Sequence, residues 1–300
     1  MNVRKPLNAL FLGAPNPLSV GVISAWLLAG NRAEAIWYPE RMKTERSLQK
    51  DAQLAGVNPY LSMAGLKRLF EVEFEAVPRI STNPELVTMA KNLKVDVVLS
   101  VMYMDIIPQA MIDVFQGRLL NIHPSLLPAY RGPSPILNML WDEKVHESSG
   151  LTLHEVTAQV DEGAIVGSVA VPFPVNCSIV DYMGALIFSG GKLLCDSVPA
   201  YLDGTIIAAK QPLIGASYRK VKRSQLSIAS IDSLKRVRWL CQTVGQFAEF
   251  KIKDAAFDVR VSRLAGVLGR PTGAPMAFTD GWAELDLADA RVRLSRSEIG

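Results

Sequence analysis

The chain has 300 residues, 49% of them hydrophobic, and a formal net charge of +3 at pH 7. Its length exceeds what one hydrophobic core usually organises, so two domains are expected, and the apolar content is sufficient for substantial cores. No run of eighteen or more apolar residues occurs, which argues against a membrane span and favours a cytoplasmic protein.

The three cysteines, Cys177, Cys195 and Cys241, are widely separated and odd in number. They also lack metal-ligand spacing with the histidines, so neither a disulfide framework nor a zinc site is expected. We predict reduced, packed thiols and no metal.

Strand and helix signals alternate through the first two-thirds of the chain. Buried apolar runs predict strands, and apolar residues at helical spacing predict helices. The predicted elements are, in order, a strand at Leu7–Gly13, a helix ending near Ala29, strands at Ala33–Trp37 and Val95–Val101 with a helix at Glu85–Leu93 between them, a strand at Leu119–Ile122, two strands within Gly150–Val166, and a closing helix at Gly184–Leu202. This alternation predicts an α/β fold with a Rossmann-like, doubly wound, mostly parallel sheet.

The character of the sequence changes near Thr205–Tyr218. The segment that follows predicts a helix at Ser233–Gln242 and strands within Phe247–Leu264, Trp282–Leu287 and Arg291–Leu294, with a glycine-rich loop at Gly266–Gly273. These signals indicate a small β-rich unit. We therefore place one domain at residues 1–205 and a second at residues 206–300.

The segment from Leu119 to Gly132 combines an amide, an imidazole and a guanidinium around a proline-stiffened turn. Asn121 and His123 are two positions apart, so on an extended strand they share a face. They also come at the carboxyl end of a predicted strand, where open α/β sheets bind ligands. Without its flanking pattern, Asn-x-His would be read as a pair of satisfied turn residues.

An acidic loop, Asp161-Glu162-Gly163, follows 38 positions after His123 (161 − 123) between two predicted strands. Alone it would be an ordinary polar turn. Of the remaining histidines, His154 is interpreted as a structural or supporting residue of the preceding strand, and His146 as a solvated residue of a charged loop.

The two segments together resemble the folate-dependent formyltransferases, which share an Asn-x-His-x-Ser-Leu-Leu-Pro segment followed by an Asp-x-Gly loop. The resemblance implies that residues 1–205 are the catalytic domain and that the C-terminal domain is OB-like. It also implies 10-formyltetrahydrofolate as co-substrate and Asn121, His123 and Asp161 as catalytic residues.

Formyl transfer to an amine passes through a tetrahedral intermediate with a negative oxygen, and the attacking nitrogen must lose a proton. Asn121 can donate to that oxygen, as can protonated His123, and one such donor contributes roughly 100- to 1,000-fold in rate. A carboxylate beside the imidazole, as expected for Asp161, can orient it or an intervening water and contribute roughly 100- to 10,000-fold by proton relay.

The resemblance places the folate pterin against two loops by position. These positions are Met104, Asp105, Ile106, Ile107, Thr157 and Ala158. The alternative is that Val101–Ile107 is a strand running into a buried turn. Gly163-Ala164 departs from the family pattern, which often has Pro or Asp after that glycine.

The resemblance also implies an acceptor site on the side of the cleft opposite the folate. We assign to it Asn16, Ser125, Arg131 and Gly132. In the tRNA branch a basic, glycine-containing insertion usually follows the second strand, but Tyr38–Ser47 interleaves acids with its basic residues and has no glycine. A charge of +3 is also modest for holding tRNA through its phosphates. We therefore favour a small amine, specifically a nucleotide-linked amino sugar.

Other functions stay open. A methionyl-tRNA formyltransferase would use basic clusters at Arg219–Arg223 and Lys235–Arg238, although such clusters are more often solvated faces. A catalytically inactive folate-binding or regulatory protein would keep the fold without turnover, and a hydrolase would give the formyl group to water. The oligomeric state is not predicted.

Overall fold

A computed structural model describes residues 5–173, 179–218, 225–246, 249–256 and 258–296. Backbone contacts group them into two compact units: residues 1–135 with 146–218, and residues 136–145 with 219–300. Residues 206–218 therefore group with the first unit, whereas we had placed the boundary at 205/206. Cys177 and the Arg219–Arg223 cluster lie outside the described residues.

The first unit is built on a seven-stranded sheet. Its strands are β1 (Asn8–Leu12), β2 (Arg32–Pro39), β3 (Phe74–Val77), β4 (Val97–Val101), β5 (Leu119–His123), β6 (Gly150–Glu155) and β7 (Ile165–Ala170). The order across the sheet is β3-β2-β1-β4-β5-β6-β7. The first five strands in that order are parallel, whereas β6 is antiparallel to β5 and β7 is antiparallel to β6. The predicted mostly parallel α/β sheet is confirmed.

Helices connect these strands. They are α1 (Pro17–Leu28), α2 (Glu45–Val57), α3 (Met63–Phe70), α4 (Pro84–Asn92), α5 (Gln109–Val114), α6 (Pro135–Trp141), α7 (Val145–Ser148) and α8 (Ile179–Leu202), with short 3₁₀ turns at Glu40–Met42, Pro59–Leu61 and Ile80–Thr82. Every residue of β4 is buried, as expected for a strand covered by helices on both faces. No helix in the described ranges is long and apolar enough to cross a membrane.

Helix α1 follows β1 and begins at the carboxyl edge of the sheet. Asn16 caps it by accepting the Ser19 N–H at 3.0 Å, and Pro17 occupies the first turn, where its missing N–H costs nothing. A Cβ on Gly191 of α8 would lie 2.3 Å from the Ala25 Cβ of α1. Glycine at this position therefore lets the two helices approach closely.

The described residues of the second unit form a six-stranded sheet and a nine-residue helix, in addition to the part of α6 from Ile136 onward. Its elements are β8 (Ser227–Ile228), α9 (Leu234–Gln242), a 3₁₀ turn (Val244–Gln246), β9 (Phe250–Ile252), β10 (Arg260–Gly269), β11 (Ala277–Phe278), β12 (Trp282–Asp286) and β13 (Arg291–Arg296). The sheet order is β11-β12-β13-β10-β9-β8, so the predicted β-rich C-terminal unit is confirmed.

Two local predictions were wrong. Gly266–Gly269 is the end of β10 instead of a loop, because Leu264 and Val267 pair with β13. The register of this pairing shifts next to each of the two glycines, so the strand continues through them. His146 is exposed, as expected, but it lies in helix α7 instead of a loop.

Candidate active site

Strand β5 carries Asn121 and His123 to the carboxyl end of the parallel part of the sheet. Its antiparallel neighbour β6 pairs Asn121 with His154 and His123 with Thr152. His123 and His154 are 4% and 2% exposed. The switch from parallel to antiparallel pairing thus brings two imidazoles to one place in the sheet.

The turn after β5 orients the His123 ring. Within this turn the Leu127–Pro128 bond is cis, and Tyr130 adopts a left-handed conformation, with φ of 59°. The Tyr130 carbonyl oxygen lies 2.9 Å from Nε2 of His123. A carbonyl oxygen only accepts, so Nε2 carries the hydrogen, and Nδ1 is the nitrogen left free to exchange a proton.

Asp161 faces that nitrogen. Its Oδ2 lies 3.5 Å from Nδ1 of His123, and its Oδ1 lies 3.5 Å from Nε2 of His154. The same Oδ2 accepts the Gly132 N–H at 2.8 Å. The structure thus brings together the three residues predicted to be catalytic, with the carboxylate between the two imidazoles.

The loop that carries Asp161 is sterically constrained. Asp161 itself has a left-handed backbone, with φ of 56°. A Cβ added to Gly163 would lie 1.8 Å from the Glu155 carbonyl oxygen, so only glycine fits there. The glycine of the Asp-x-Gly pattern is required because this loop closes tightly over the end of β6.

Burial by itself would raise the pKa of Asp161, but its contacts with His154 and His123 and the Gly132 N–H outweigh burial and lower that pKa to about 2. Burial is also the main cause of the lowered pKa of His123, with His154 acting in the same direction, while Asp161 and the Tyr130 carbonyl oppose the shift. The pair therefore rests as a carboxylate beside a neutral imidazole near neutral pH. Sequence reasoning had used a protonated His123 as an oxyanion donor, whereas this environment favours the neutral ring in the resting state.

His154 contacts both Asn121 and Asp161, which is consistent with its interpretation as a supporting residue. Its Nδ1 lies 2.7 Å from the Glu155 carbonyl oxygen and therefore carries the hydrogen, which makes Nε2 an acceptor as long as the ring is neutral. The Asn121 amide donates to that Nε2 at 3.0 Å, which leaves its second N–H free. The sequence signal was the antiparallel register, since it places position 154 directly opposite position 121.

The residues assigned to the acceptor have structural partners. Ser125 is fully buried, with its hydroxyl donating to the Ala129 carbonyl at 2.7 Å. Arg131 contacts Glu162 and Gln211, Gly132 contacts Asp161, and Asn16 caps α1. Arg131 and Gly132 therefore lie beside the Asp161 carboxylate. The part of all four in acceptor binding stays a prediction.

The residues assigned to folate lie on two loops. Met104 and Ile106 are 47% and 65% exposed, so the alternative of a fully buried turn after β4 was wrong. Asp105 forms an ion pair with Arg41 at 2.8 Å, and Ile107 packs against the sheet core. In the second loop the Thr157 hydroxyl donates to the Gln159 carbonyl at 3.0 Å, and Ala158 is exposed. Folate contact by these residues stays a prediction.

A sequence model of one family, described as formyl transferase, matches residues 42–198. The match covers 157 of the 300 residues (198 − 42 + 1), which is more than half of the chain, and it includes the Asn121, His123 and Asp161 cluster. The chain belongs to the formyl transferase family. The predicted family is confirmed.

Curated relatives of this chain include several methionyl-tRNA formyltransferases, two of which illustrate the range of coverage. The enzyme from Herpetosiphon aurantiacus is 30% identical over 48% of this chain and 46% of its own length. The enzyme from Chloroflexus aggregans is 28% identical over 73% of this chain and 67% of its own length. The match therefore spans about half of the first relative and two-thirds of the second.

A solved structure supports the fold over the whole chain. WlaRD, a sugar 3N-formyl transferase whose crystal structure was determined in the presence of dTDP and 5-N-formyl-THF, superposes with a TM-score of 0.62 at 14% identity. The superposition covers 99% of this chain and 100% of WlaRD. The likeness extends through the β-rich unit, beyond the region that the family model matches.

Proposed function

We propose that this protein transfers a formyl group from 10-formyltetrahydrofolate to the primary amine of a small molecule, specifically a nucleotide-linked amino sugar. The observation that carries the proposal is the ionised Asp161 held 3.5 Å from His123, next to the free N–H of Asn121. It joins a proton acceptor and an oxyanion donor in one buried site.

The reaction requires one bond to form and one to break. The acceptor nitrogen attacks the formyl carbon, the bond between that carbon and the folate nitrogen breaks, and one proton moves from the acceptor amine to the folate nitrogen. Asn121 stabilises the negative oxygen of the tetrahedral intermediate through its second N–H. Asp161 and Nδ1 of His123 relay the proton from the acceptor nitrogen to the folate nitrogen. While the proton is on His123, the two side chains form a buried imidazolium–carboxylate pair.

The folate is proposed to lie along the loop after β4. Met104 and Ile106 provide exposed apolar surface there, and the Arg41–Asp105 ion pair holds the loop against the segment after β2. Backbone groups around Thr157 and Ala158 would read the hydrogen-bonding edge of the pterin. The presence of dTDP and a formylated folate with WlaRD supports a sugar acceptor on this fold.

Methionyl-tRNA is the second candidate acceptor. It is favoured by the sequence matches to two methionyl-tRNA formyltransferases, at 30% and 28% identity. Against it stand the modest net charge of +3 and the absence of glycine in the segment after β2.

The test is tetrahydrofolate release from 10-formyltetrahydrofolate with a panel of nucleotide-linked amino sugars or with initiator methionyl-tRNA. We expect turnover with an amino sugar and a loss of at least about 100-fold in His123→Ala, with His146→Ala as the matched control at an exposed histidine. Turnover only with the charged tRNA would replace the proposed acceptor. Release without any acceptor would indicate a hydrolase, and tight folate binding without release would indicate an inactive binding protein.

A further inference from the structure

Residues 207–218, hereafter the strap, run past the catalytic loops after helix α8 ends. Ala209 exchanges two backbone hydrogen bonds with Ile165 at the start of β7, at 2.7 and 2.8 Å. Ser217 accepts the Tyr130 N–H through its hydroxyl at 2.8 Å, and its carbonyl accepts the Arg131 N–H at 2.9 Å. The strap is therefore hydrogen-bonded both to the strand after the Asp161 loop and to the turn that orients His123.

Gln211 lies between these two attachments and is 5% exposed. Its side-chain amide donates to the carbonyl oxygens of Asp161 and Gly163, both at 2.8 Å. Its oxygen accepts from Nε and Nη2 of Arg131 at 3.2 and 2.8 Å. One buried amide thus uses both of its ends to join the two loops that face each other across the site.

The Asp161 backbone needs such support. Its φ of 56° lies in the left-handed region, which is costly for a residue other than glycine unless the surroundings hold it. One of the two carbonyls that Gln211 binds belongs to Asp161 itself, and the other belongs to Gly163 two residues later. Gln211 therefore fixes the backbone that carries the carboxylate. An error of 1 Å in such an alignment can cost about 100-fold in rate.

We propose that Gln211 is a positioning residue of the formyl transferase reaction, holding Asp161 against His123, and that the strap is part of the active site although it lies beyond the matched residues 42–198. The inference rests on the proposed function for its kinetic test. It goes beyond that function by assigning a role to a segment that sequence reasoning had placed in the C-terminal domain.

Two variants distinguish the donor end of the Gln211 side-chain amide from its acceptor end. Gln211→Met removes all four hydrogen bonds at nearly constant size, whereas Gln211→Glu keeps acceptors for Arg131 and loses the donors to Asp161 and Gly163. We expect kcat to fall about 10- to 100-fold in both, with little change in the KM for folate. Lys210→Met is the matched control, because its side chain is exposed and adjacent.

A second measurement does not depend on turnover. The chain contains three histidines, so the imidazole ¹⁵N spectrum of the tag-free protein reports each ring separately. His123 faces Asp161 from the acidic loop and His154 from β6, and the Asp161 charge raises its pKa. Loosening Asp161 in Gln211→Met should therefore lower the titration midpoint of His123 by about half a pH unit.

Parent-like kcat and an unchanged His123 midpoint in Gln211→Met and Gln211→Glu would overturn the proposal. Unfolding of both variants at the assay temperature would also overturn it, because Gln211 would then support the fold and not the site. If the parent protein formylates no amine, the proposed function fails. The shift of the His123 midpoint would still decide whether Gln211 positions Asp161.

Discussion

Asp161 keeps its charge in a place where burial alone would remove it. Its side chain is 13% exposed, yet two imidazoles and one backbone N–H lower its pKa to about 2. The contacts that keep the carboxylate ionised therefore also contribute to stability.

The stability role predicts a pH dependence. The folded pKa of Asp161 is about 2, below its ordinary 3.8, so the carboxylate stabilises the fold fully above pH 4 and loses this contribution as pH falls toward 2. The size is about 2 kcal/mol. The ¹³C chemical shift of the Asp161 side-chain carboxyl, followed from about pH 6 downwards, should give a titration midpoint near 2. A midpoint near 3.8 would show that the neighbours of Asp161 do not stabilise its charged form.

His154 has a separate role through Asn121. His154→Leu removes the acceptor that holds the Asn121 amide, so the amide can rotate away from the oxyanion. We expect kcat to fall about tenfold, which corresponds to one hydrogen bond of about 1.4 kcal/mol, with folate binding preserved. Steady-state kinetics against His146→Leu measure the effect. A parent-like kcat would mean that Asn121 is oriented without His154.

Most of the site could be predicted from residue types and order. Asn121, His123 and Asp161 stand in a recognisable pattern, and the structure brings them together. The neutral state of His123 could not be predicted, because it depends on burial and on the Tyr130 carbonyl. Gln211 could not be predicted either, since nothing in the residues around position 211 indicates that the strap returns to the site.

At the level of elements, the tight loop from β6 to β7 decides where the carboxylate points. Gly163 passes against the Glu155 carbonyl oxygen, where a Cβ would lie at 1.8 Å. Any side chain would push the loop away from His123. Glycine is thus needed at this position for the shape of the loop.

Paired substitutions test this constraint. Gly163→Ala should destabilise the protein by several kcal/mol, on the order of a severe core substitution, and abolish most transfer. Gly184→Ala in helix α8 has open space around the added methyl and should stabilise by about 1 kcal/mol. Thermal unfolding and transfer assays of both variants provide the comparison. A fully active, parent-like Gly163→Ala would show that the loop can adjust.

Strands and helices with strong periodicity were predicted close to their observed bounds. The buried runs at Leu7–Gly13 and Val95–Val101 became β1 and β4, and Glu85–Leu93 became α4. The elements from α2 to β3 were not predicted. Helix α2 buries none of its residues fully and β3 has four residues, so neither carries a strong apolar pattern.

At the level of the whole molecule, the distribution of charge bears on whether the acceptor is a tRNA. The net charge is +3, and part of the basic cluster at Lys235–Arg238 is already neutralised. Arg236 pairs with Glu143 at 2.6 Å and with Asp232 at 3.6 Å. Arg236 is therefore less available than Lys235 and Arg238 to release counterions from a nucleic acid.

We accordingly expect initiator tRNA to bind no more tightly than non-specific nucleic acid, with Kd on the order of 10⁻⁶ to 10⁻⁴ M at physiological salt. Fluorescence anisotropy across a salt series, with an unrelated tRNA as control, measures this affinity. Binding of initiator tRNA that is much tighter than the control and weakens steeply with salt would instead support the tRNA acceptor.

The antiparallel pairing of β5 with β6 has a consequence for how this chain tolerates insertions and deletions. Side chains alternate faces along β6, so a one-residue insertion or deletion inside Gly150–Glu155 would turn the imidazole of His154 to the opposite face, away from Asn121. Length variants within this six-residue strand should disappear first from a library selected for activity. The length of β6 is therefore constrained by the need to keep His154 opposite Asn121 of β5.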